Sequence, residues 1–340
     1  MQSSTDTSVA QLLKSGGTSA LSSIQAPVRS ELDQVGAELR RIVLSDFEMI
    51  EDLNEHLLFL QGKLFRPTLL LLSSRVGGEP HEDSRTLAAV VELVHLATLV
   101  HDDAVDHSVL RRGMPTVNAL WTHQVAIIMG DYLYSRAVTE LARRGHLEAL
   151  AVLAGAANEM SVGEMRQLTS YDALDFTEED YYRLIAAKTA SLMSASCEMG
   201  SLAGEAECRE KLASFGHNIG MAFQIADDLL DYTGSEAVTG KPTGQDLREH
   251  KVTLPLIGAL ANVSGAEERE IRTFFTQDTP SDDDIQKVMG IVADRGGLEY
   301  AKGQAEHYAR LARASLTGLT EGVAVNALHD AVDYVVDRRR

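Results

Sequence analysis

The sequence predicts an all-α fold, a single domain of about ten or more helices. Three observations carry that reading. Apolar residues recur along most of the chain at the period of a helix, and strand-like alternation is nearly absent. Aromatic residues make up only 5% of the sequence while Leu, Ala and Val abound, which favours helix over sheet. With 340 residues and 44% hydrophobic content, the chain can bury a sizeable core.

The elements follow in order. Residues 1–26 are rich in Ser, Thr, Gly and Gln and read as a mobile leader, so the helical domain is placed at 27–340. A long amphipathic pattern runs from Pro27 to about His56. Gly62-Lys63-Leu64-Phe65-Arg66-Pro67 breaks it, and Pro67 suits the first turn of the next helix. Thr68 to Val76 is apolar and stops at Gly77-Gly78. Residues 82–106 read as one helix, followed by a basic loop from Val109 to Pro115. Helical periodicity resumes from Thr116 to Arg143 and from Leu147 to Leu168. Thr177 is an N-cap candidate, with Glu178 and Glu179 in the first turn behind it. A further helix starts near Ala206. Thr233 to Arg248 reads as an active-site loop, and Leu254 to Arg340 as three or four more helices.

Composition narrows the function. The formal net charge is −19, which argues against nucleic acid as a partner. Cys197 and Cys208 form neither a disulfide framework nor a metal-ligand pattern and read as buried or inert. A reducing cytoplasm is the compartment this usage suits. No signal peptide is evident, and no stretch approaches the roughly 20 apolar residues of a membrane span. Any membrane contact is expected to be peripheral.

Chemistry concentrates in two copies of one acidic pattern. Asp102-Asp103-Ala104-Val105-Asp106 ends one apolar helical run, and Asp227-Asp228-Leu229-Leu230-Asp231 ends another. Positions i and i+4 share a helix face, so each pattern points at least two carboxylates the same way. Such neighbours repel unless a cation sits between them. Mg²⁺ is the natural one, because it prefers oxygen and takes one or two carboxylates together with substrate phosphates. An acidic cluster alone is usually a solvated helix face. That reading loses weight here, because basic residues recur at defined places: Arg111 and Arg112 just past the first pattern, Lys63 and Arg66 in the early loop, then Lys188, Lys241 and Lys251. His95 stands two turns up the helix from Asp102, and Thr189 and Gln224 complete the polar set. Arg suits bidentate phosphate binding and Lys acts as a mobile point charge. Taken singly, each lysine would pass for a surface residue and His95 for a structural one; His101 reads as structural or supporting.

The ordered set resembles the trans-isoprenyl diphosphate synthases of the polyprenyl synthetase family. The matching pieces are Gly62-Lys63-x-x-Arg66-Pro67, Leu99-Val100-His101-Asp102-Asp103-x-x-Asp106, Arg111-Arg112-Gly113-x-Pro115-Thr116, Gly130-Asp131, Gly163-Glu164-x-x-Gln167, Lys188-Thr189, Phe223-Gln224-Ile225-x-Asp227-Asp228-x-x-Asp231 and Asp246-Leu247-Arg248-Glu249-x-Lys251-x-Thr253-Leu254-Pro255. The resemblance implies a helical bundle around a central cavity, a homodimer, and condensation of an allylic diphosphate with isopentenyl diphosphate. It further implies Asp102, Asp106 and Asp227 as direct Mg²⁺ ligands, with Asp103, Asp228 and Asp231 close behind. Arg111, Lys188, Lys241 and Lys251, helped by Thr189 and Gln224, would hold the allylic diphosphate. Lys63, Arg66, His95 and Arg112 would hold isopentenyl diphosphate, and the released diphosphate would accept the proton. The sequence departs from the family pattern at His250, where glycine is usual, and at Ala226, where a larger apolar residue is common.

Product length is read from the first acidic helix. Ala97 and Thr98 lie about one turn deeper than Asp102, roughly 5–6 Å along the axis, and both are small. A growing chain should pass them and meet Tyr132 and Tyr134 beyond Gly130 instead. Two small residues at this depth lead us to expect a long product of about seven to nine isoprene units. The alternatives are a short-chain geranylgeranyl or farnesyl diphosphate synthase, a terpene cyclase, and a non-catalytic partner subunit. The fully aspartate second motif speaks against a cyclase, and the intact acidic and basic sets speak against a non-catalytic subunit.

Overall fold

The computed structural model describes residues 20–59, 62–168, 173–234 and 243–337. Among them the fold is all-α, and strands are confined to one two-residue ribbon, Leu110–Arg111 against Met114–Pro115. The basic loop is therefore a tight hairpin. Its two turn residues, Arg112 and Gly113, both have positive φ, at 54° and 79°, as a turn matched to the right-handed strand twist requires.

The long pattern from Pro27 to His56 divides into Arg29–Val43 and Glu48–Phe59. The first of these ends where Leu44 turns extended, and its terminal Val43 carbonyl is satisfied by Asn54 Nδ2 at 2.8 Å and the Tyr132 hydroxyl at 2.9 Å. Packing also begins before residue 27. Residues 20–25 are helical and Leu21, Ile24 and Gln25 are buried, so this stretch belongs with the bundle; residues 1–19 lie outside the described residues. Phe65–Ser74, Ser84–Val105, Leu147–Leu168 and Glu178–Ile185 fall close to the predicted bounds. Thr177 caps its helix as expected, its side chain accepting from the Asp180 N–H at 3.2 Å. The Thr116–Arg143 segment is one turn, Val117–Leu120, and then the helix His123–Arg144.

The C-terminal region carries five helices among the described residues, Leu254–Leu260, Gly265–Phe275, Asp282–Asp294, Gly297–Ser315 and Val323–Val336, rather than three or four. Two of the starts are capping boxes, Ser264 with Glu267 and Ser281 with Asp284, which divide what reads as a continuous pattern.

Phe65–Ser74 is the central rod. Leu69 to Leu72 are at most 1% exposed, each leucine contributing about 1.5–3 kcal/mol of burial. Ser84–Val105 and Ser191–Leu202 flank it, and Arg209–Thr233 packs on the far side of Ser191–Leu202 under Gly297–Ser315. That packing brings the helix of the second acidic motif close enough to matter. A Cβ at Gly220 would lie 2.6 Å from Ala190 Cα, so only glycine admits this approach.

Candidate active site

Both acidic motifs sit at helix C-termini, on Ser84–Val105 and Arg209–Thr233. Helix carbonyls leave negative charge there, and aspartates add to it, so each end needs cations nearby. The structure supplies them from the protein itself. Lys188 Nζ lies 3.7 Å from Asp102 and 2.6 Å from Glu164. Burial pushes the Asp102 carboxyl up, opposed by Lys188 and reinforced by Glu164 and Asp106. Asp103 does not face the cleft: it is buried and paired bidentately with Arg111, at 2.7 and 2.8 Å. Arg111 thus anchors the hairpin to the first motif.

Lys188 and Thr189 belong to a π-helical stretch, Ala186–Ala190, between two α-helices. Single π turns concentrate at functional sites because they re-aim side chains. Thr189 Oγ1 donates to Gln224 Oε1 at 2.7 Å, Gln224 Nε2 donates to Asp228 at 2.8 Å, and the Tyr181 hydroxyl donates to Asp228 at 2.6 Å. Burial, reinforced by Asp246, holds Asp228 well above the usual carboxylate range, while these two donors oppose the shift. Asp228 therefore orients Gln224 rather than offering open oxygens. The relay places Lys188 beside the first motif and Thr189 beside the second.

Asp231 accepts the backbone N–H groups of Gln245 and Asp246, both at 3.0 Å, and so fixes the single turn Gln245–Arg248. Burial and the Asp231 charge push Asp246 up to about 7. Lys251 donates to Glu249 at 2.6 Å; burial works against its charge, but Glu249, Asp106 and Asp246 raise it. Asp106 and Asp227 are exposed. Lys241 lies outside the described residues.

Below Asp102 opens a cleft of about 670 Å³. Lys188, Thr189, Gln224 and Phe223 line one side; Lys63, Arg66, Glu92, His95 and Arg112 line the other, with Tyr334 of the last helix closing it. Arg66 donates to His95 Nε2 at 3.1 Å. Burial, with Arg66, Arg112 and Arg111 nearby, keeps this imidazole well below its usual pKa, so it is neutral and accepts through Nε2. Burial pushes Glu92 up to about 6 against the pull of Arg66 and Arg112. A Cβ at Gly62 would meet the Arg112 guanidinium at 2.7 Å, so the glycine is what lets that arginine reach the loop. Lys63 Nζ donates to the Tyr334 hydroxyl at 3.1 Å.

Among the described residues, the non-glycine positions with left-handed backbone are Leu64, His107, Arg112 and His250, with φ between 50° and 54°. Each is, or directly adjoins, a predicted site residue: Lys63, Asp106, Arg112 itself and Lys251. Such backbone costs about 1–3 kcal/mol per residue and collects where side chains must be aimed.

Of the predicted chain-length residues, Thr98 lines the cleft. Ala97 is buried, Tyr132 is tied through its hydroxyl to the Val43 carbonyl, and Tyr134 packs on the main core. Glu92, Glu164, Tyr181, Asp246 and Tyr334 join the site without having been assigned roles. Glu164 and Asp246 stand in matched motifs, and Glu92 is an acid inside an apolar run. Tyr181 and Tyr334 leave no local signal, because tertiary packing alone brings them in.

The donor set fits a divalent cation of hard character. Asp102 is a carboxylate crowded by Glu164 and Asp106, and the oxygens are carboxylate throughout. Among the described residues no three acidic, histidine or cysteine side chains converge into a closed cage. Ions shared between one or two carboxylates and a substrate diphosphate match that arrangement.

Comparison with known proteins agrees with this geometry. Residues 47–292 match the polyprenyl synthetase family model. An all-trans-nonaprenyl-diphosphate synthase (geranyl-diphosphate specific) of Rhodobacter capsulatus is 36% identical over 93% of this chain and 97% of its own. A short chain isoprenyl diphosphate synthase of Methanothermobacter thermautotrophicus is 38% identical over 84% and 89%. The crystal structure of a polyprenyl synthase from Caulobacter crescentus, complexed with calcium and isoprenyl diphosphate, superposes with a TM-score of 0.88 at 33% identity, covering 94% of this chain and 98% of that one. With a helical bundle, ordered motifs and full-length similarity all in accord, the chain belongs to the polyprenyl synthetase family of trans-prenyl diphosphate synthases, and is an enzyme.

Proposed function

We propose that this enzyme is a Mg²⁺-dependent prenyltransferase. It condenses an allylic diphosphate with isopentenyl diphosphate, releases diphosphate, and yields a long all-trans polyprenyl diphosphate. The observation that carries the reading is the Lys188-Thr189 turn, whose ammonium reaches Asp102 while its hydroxyl binds the Gln224–Asp228 relay. That turn joins the two aspartate motifs at one end of a cleft.

Asp102, Asp106 and Asp227 would hold the metal, which when bound supplies positive charge to the departing diphosphate. Lys188 and Lys251 bind the same diphosphate, and Thr189 and Gln224 orient it. Lys63, Arg66 and Arg112 bind isopentenyl diphosphate on the opposite wall. Neutral His95 accepts from Arg66 through Nε2 and so holds that arginine in place on the cleft wall. The apolar lining by Phe65, Leu99 and Phe223 excludes water from the carbocation. No side chain is assigned as general base; the released diphosphate takes the proton. We place the enzyme in the cytoplasm as a homodimer.

For product length, Ala97 is the deciding position. Its small side chain, buried next to Thr98, sets no bulky floor about one helical turn below Asp102, which supports a long product of about seven to nine isoprene units. A short-chain product is the second reading, since a short chain isoprenyl diphosphate synthase is 38% identical. Incubation of the purified chain with Mg²⁺, labelled isopentenyl diphosphate and farnesyl diphosphate, followed by chromatography, tests both points. Wild type is expected to give long products and Ala97→Phe shorter ones; equal lengths from the two proteins would end the long-chain argument.

A further inference from the structure

The turn that carries Lys251 is held in an unusual way. Gln245–Arg248 closes with two hydrogen bonds: the His250 N–H donates to the Leu247 carbonyl at 3.0 Å, and the Lys251 N–H donates to the Asp246 carbonyl at 2.8 Å. This pair of bonds is the Schellman ending, and it demands left-handed backbone at the residue between them. That residue is His250, with φ 52°. Glycine is the usual occupant of such a position because any Cβ there is crowded.

The histidine ring gives a reason for its presence. It lies 5.8 Å from the Phe274 ring and 5.7 Å from Phe275, and those two rings meet edge to face at 5.3 Å. Its Nε2 is buried without a hydrogen-bond partner, so apolar packing holds the ring rather than polar recognition. The same turn is fastened elsewhere by Asp231 on its first N–H groups and by Arg248 to Asp282 at 2.7 Å. His250 is the fastening nearest Lys251.

We infer that His250 is a positioning residue: packed against both Phe274 and Phe275, it fixes the left-handed link that sets Lys251 toward the allylic diphosphate. The inference rests on the proposed role of Lys251 and predicts that the ring contact acts through that lysine. A glycine in its place would keep the hydrogen bonds of the turn but release the link, so the ammonium would have to be ordered on binding.

The test uses the full chain. Steady-state kinetics with Mg²⁺ should show His250→Gly raising KM for farnesyl diphosphate about tenfold while KM for isopentenyl diphosphate stays within about twofold. His250→Phe, which keeps a ring, should remain near wild type. In a Lys251→Gln background, His250→Gly should add nothing further, as expected of residues acting as one unit. An unchanged farnesyl diphosphate KM in His250→Gly, or the same additional loss in the Lys251→Gln background, overturns the inference. Equal rises in both KM values also overturn it, since loosened folding rather than a positioned lysine would then be at work. Should His250→Gly fail to fold by thermal melting, Phe275→Ala carries the same expectations from the other side of the contact. Absence of wild-type turnover would sink the proposed function instead; calorimetric Kd values for farnesyl diphosphate would then judge His250.

Discussion

Glu92 shows how one residue couples the cleft to pH. Burial raises its folded-state pKa to about 6, above the ordinary value of 4.5, even with Arg66 and Arg112 nearby. A raised carboxyl stabilises the fold at low pH and loses that contribution as pH climbs through about 6. The shift corresponds to about 2 kcal/mol. Urea unfolding should therefore find Glu92→Gln more stable than wild type by about 2 kcal/mol near pH 8 and equal to it near pH 4. A glutamine variant less stable at the higher pH would show that ionised Glu92 earns its place through the arginines. The aspartate motifs, by contrast, are legible in sequence as chemistry but not as geometry. Spacing puts Asp102 and Asp106 on one helix; it does not reveal that Asp103 is bound to Arg111 or that Asp228 is surrounded by Tyr181 and Gln224. Those assignments depend on residues brought together by packing. Replacing Asp102 and Asp227 together by alanine should lower kcat by at least about a thousandfold, as several kcal/mol of charge stabilisation is lost.

Among elements, the π turn at Ala186–Ala190 and the helix Arg209–Thr233 depend on each other through glycine. Gly220→Ala would place a methyl 2.6 Å from Ala190 Cα, and overpacking of this kind costs about 1–3 kcal/mol. The displaced turn carries Lys188 and Thr189, so activity should fall further than the loss of stability alone explains. Denaturant midpoints measured beside kcat/KM will separate the two effects. Helices with strong periodicity, such as Leu147–Leu168, were legible from apolar spacing. The π turn was not, because AAKTA reads as ordinary helix; only the extra residue in the backbone bonding distinguishes it. The Ser264 and Ser281 capping boxes were legible in principle, and reading them would have given the C-terminal helices their correct number.

At the scale of the molecule, the bundle closes on a stretch that composition assigns to a leader. Ile24 is buried in the main core, and Gln25 Nε2 donates to the Lys63 carbonyl at 2.9 Å and to Thr68 at 3.2 Å. Ile24→Ala should cost about 2–5 kcal/mol in chemical unfolding. Gln25→Ala should act mainly on KM for isopentenyl diphosphate, through the loop that carries Lys63. No helix among the described residues is long and apolar enough to cross a membrane. The all-α class and the cleft's acidic rim followed from periodicity and motif order; the ordering of residues 20–26 did not, since a polar composition says nothing of the few apolar residues that find a groove.

The Lys188 ammonium, seated between Asp102 and Glu164, has one more implication. It is a resident counter-ion, and under the proposed function an incoming dication would take over part of its work. Diphosphate offers the displaced ammonium a new anionic partner, so the two loading events should help one another. Linkage makes that help reciprocal: whatever factor diphosphate lends to Mg²⁺ affinity, Mg²⁺ returns to diphosphate. Calorimetric titration of Mg²⁺ with and without inorganic diphosphate should show tighter uptake in its presence, and Lys188→Met should shrink the difference by strengthening uptake of the metal alone.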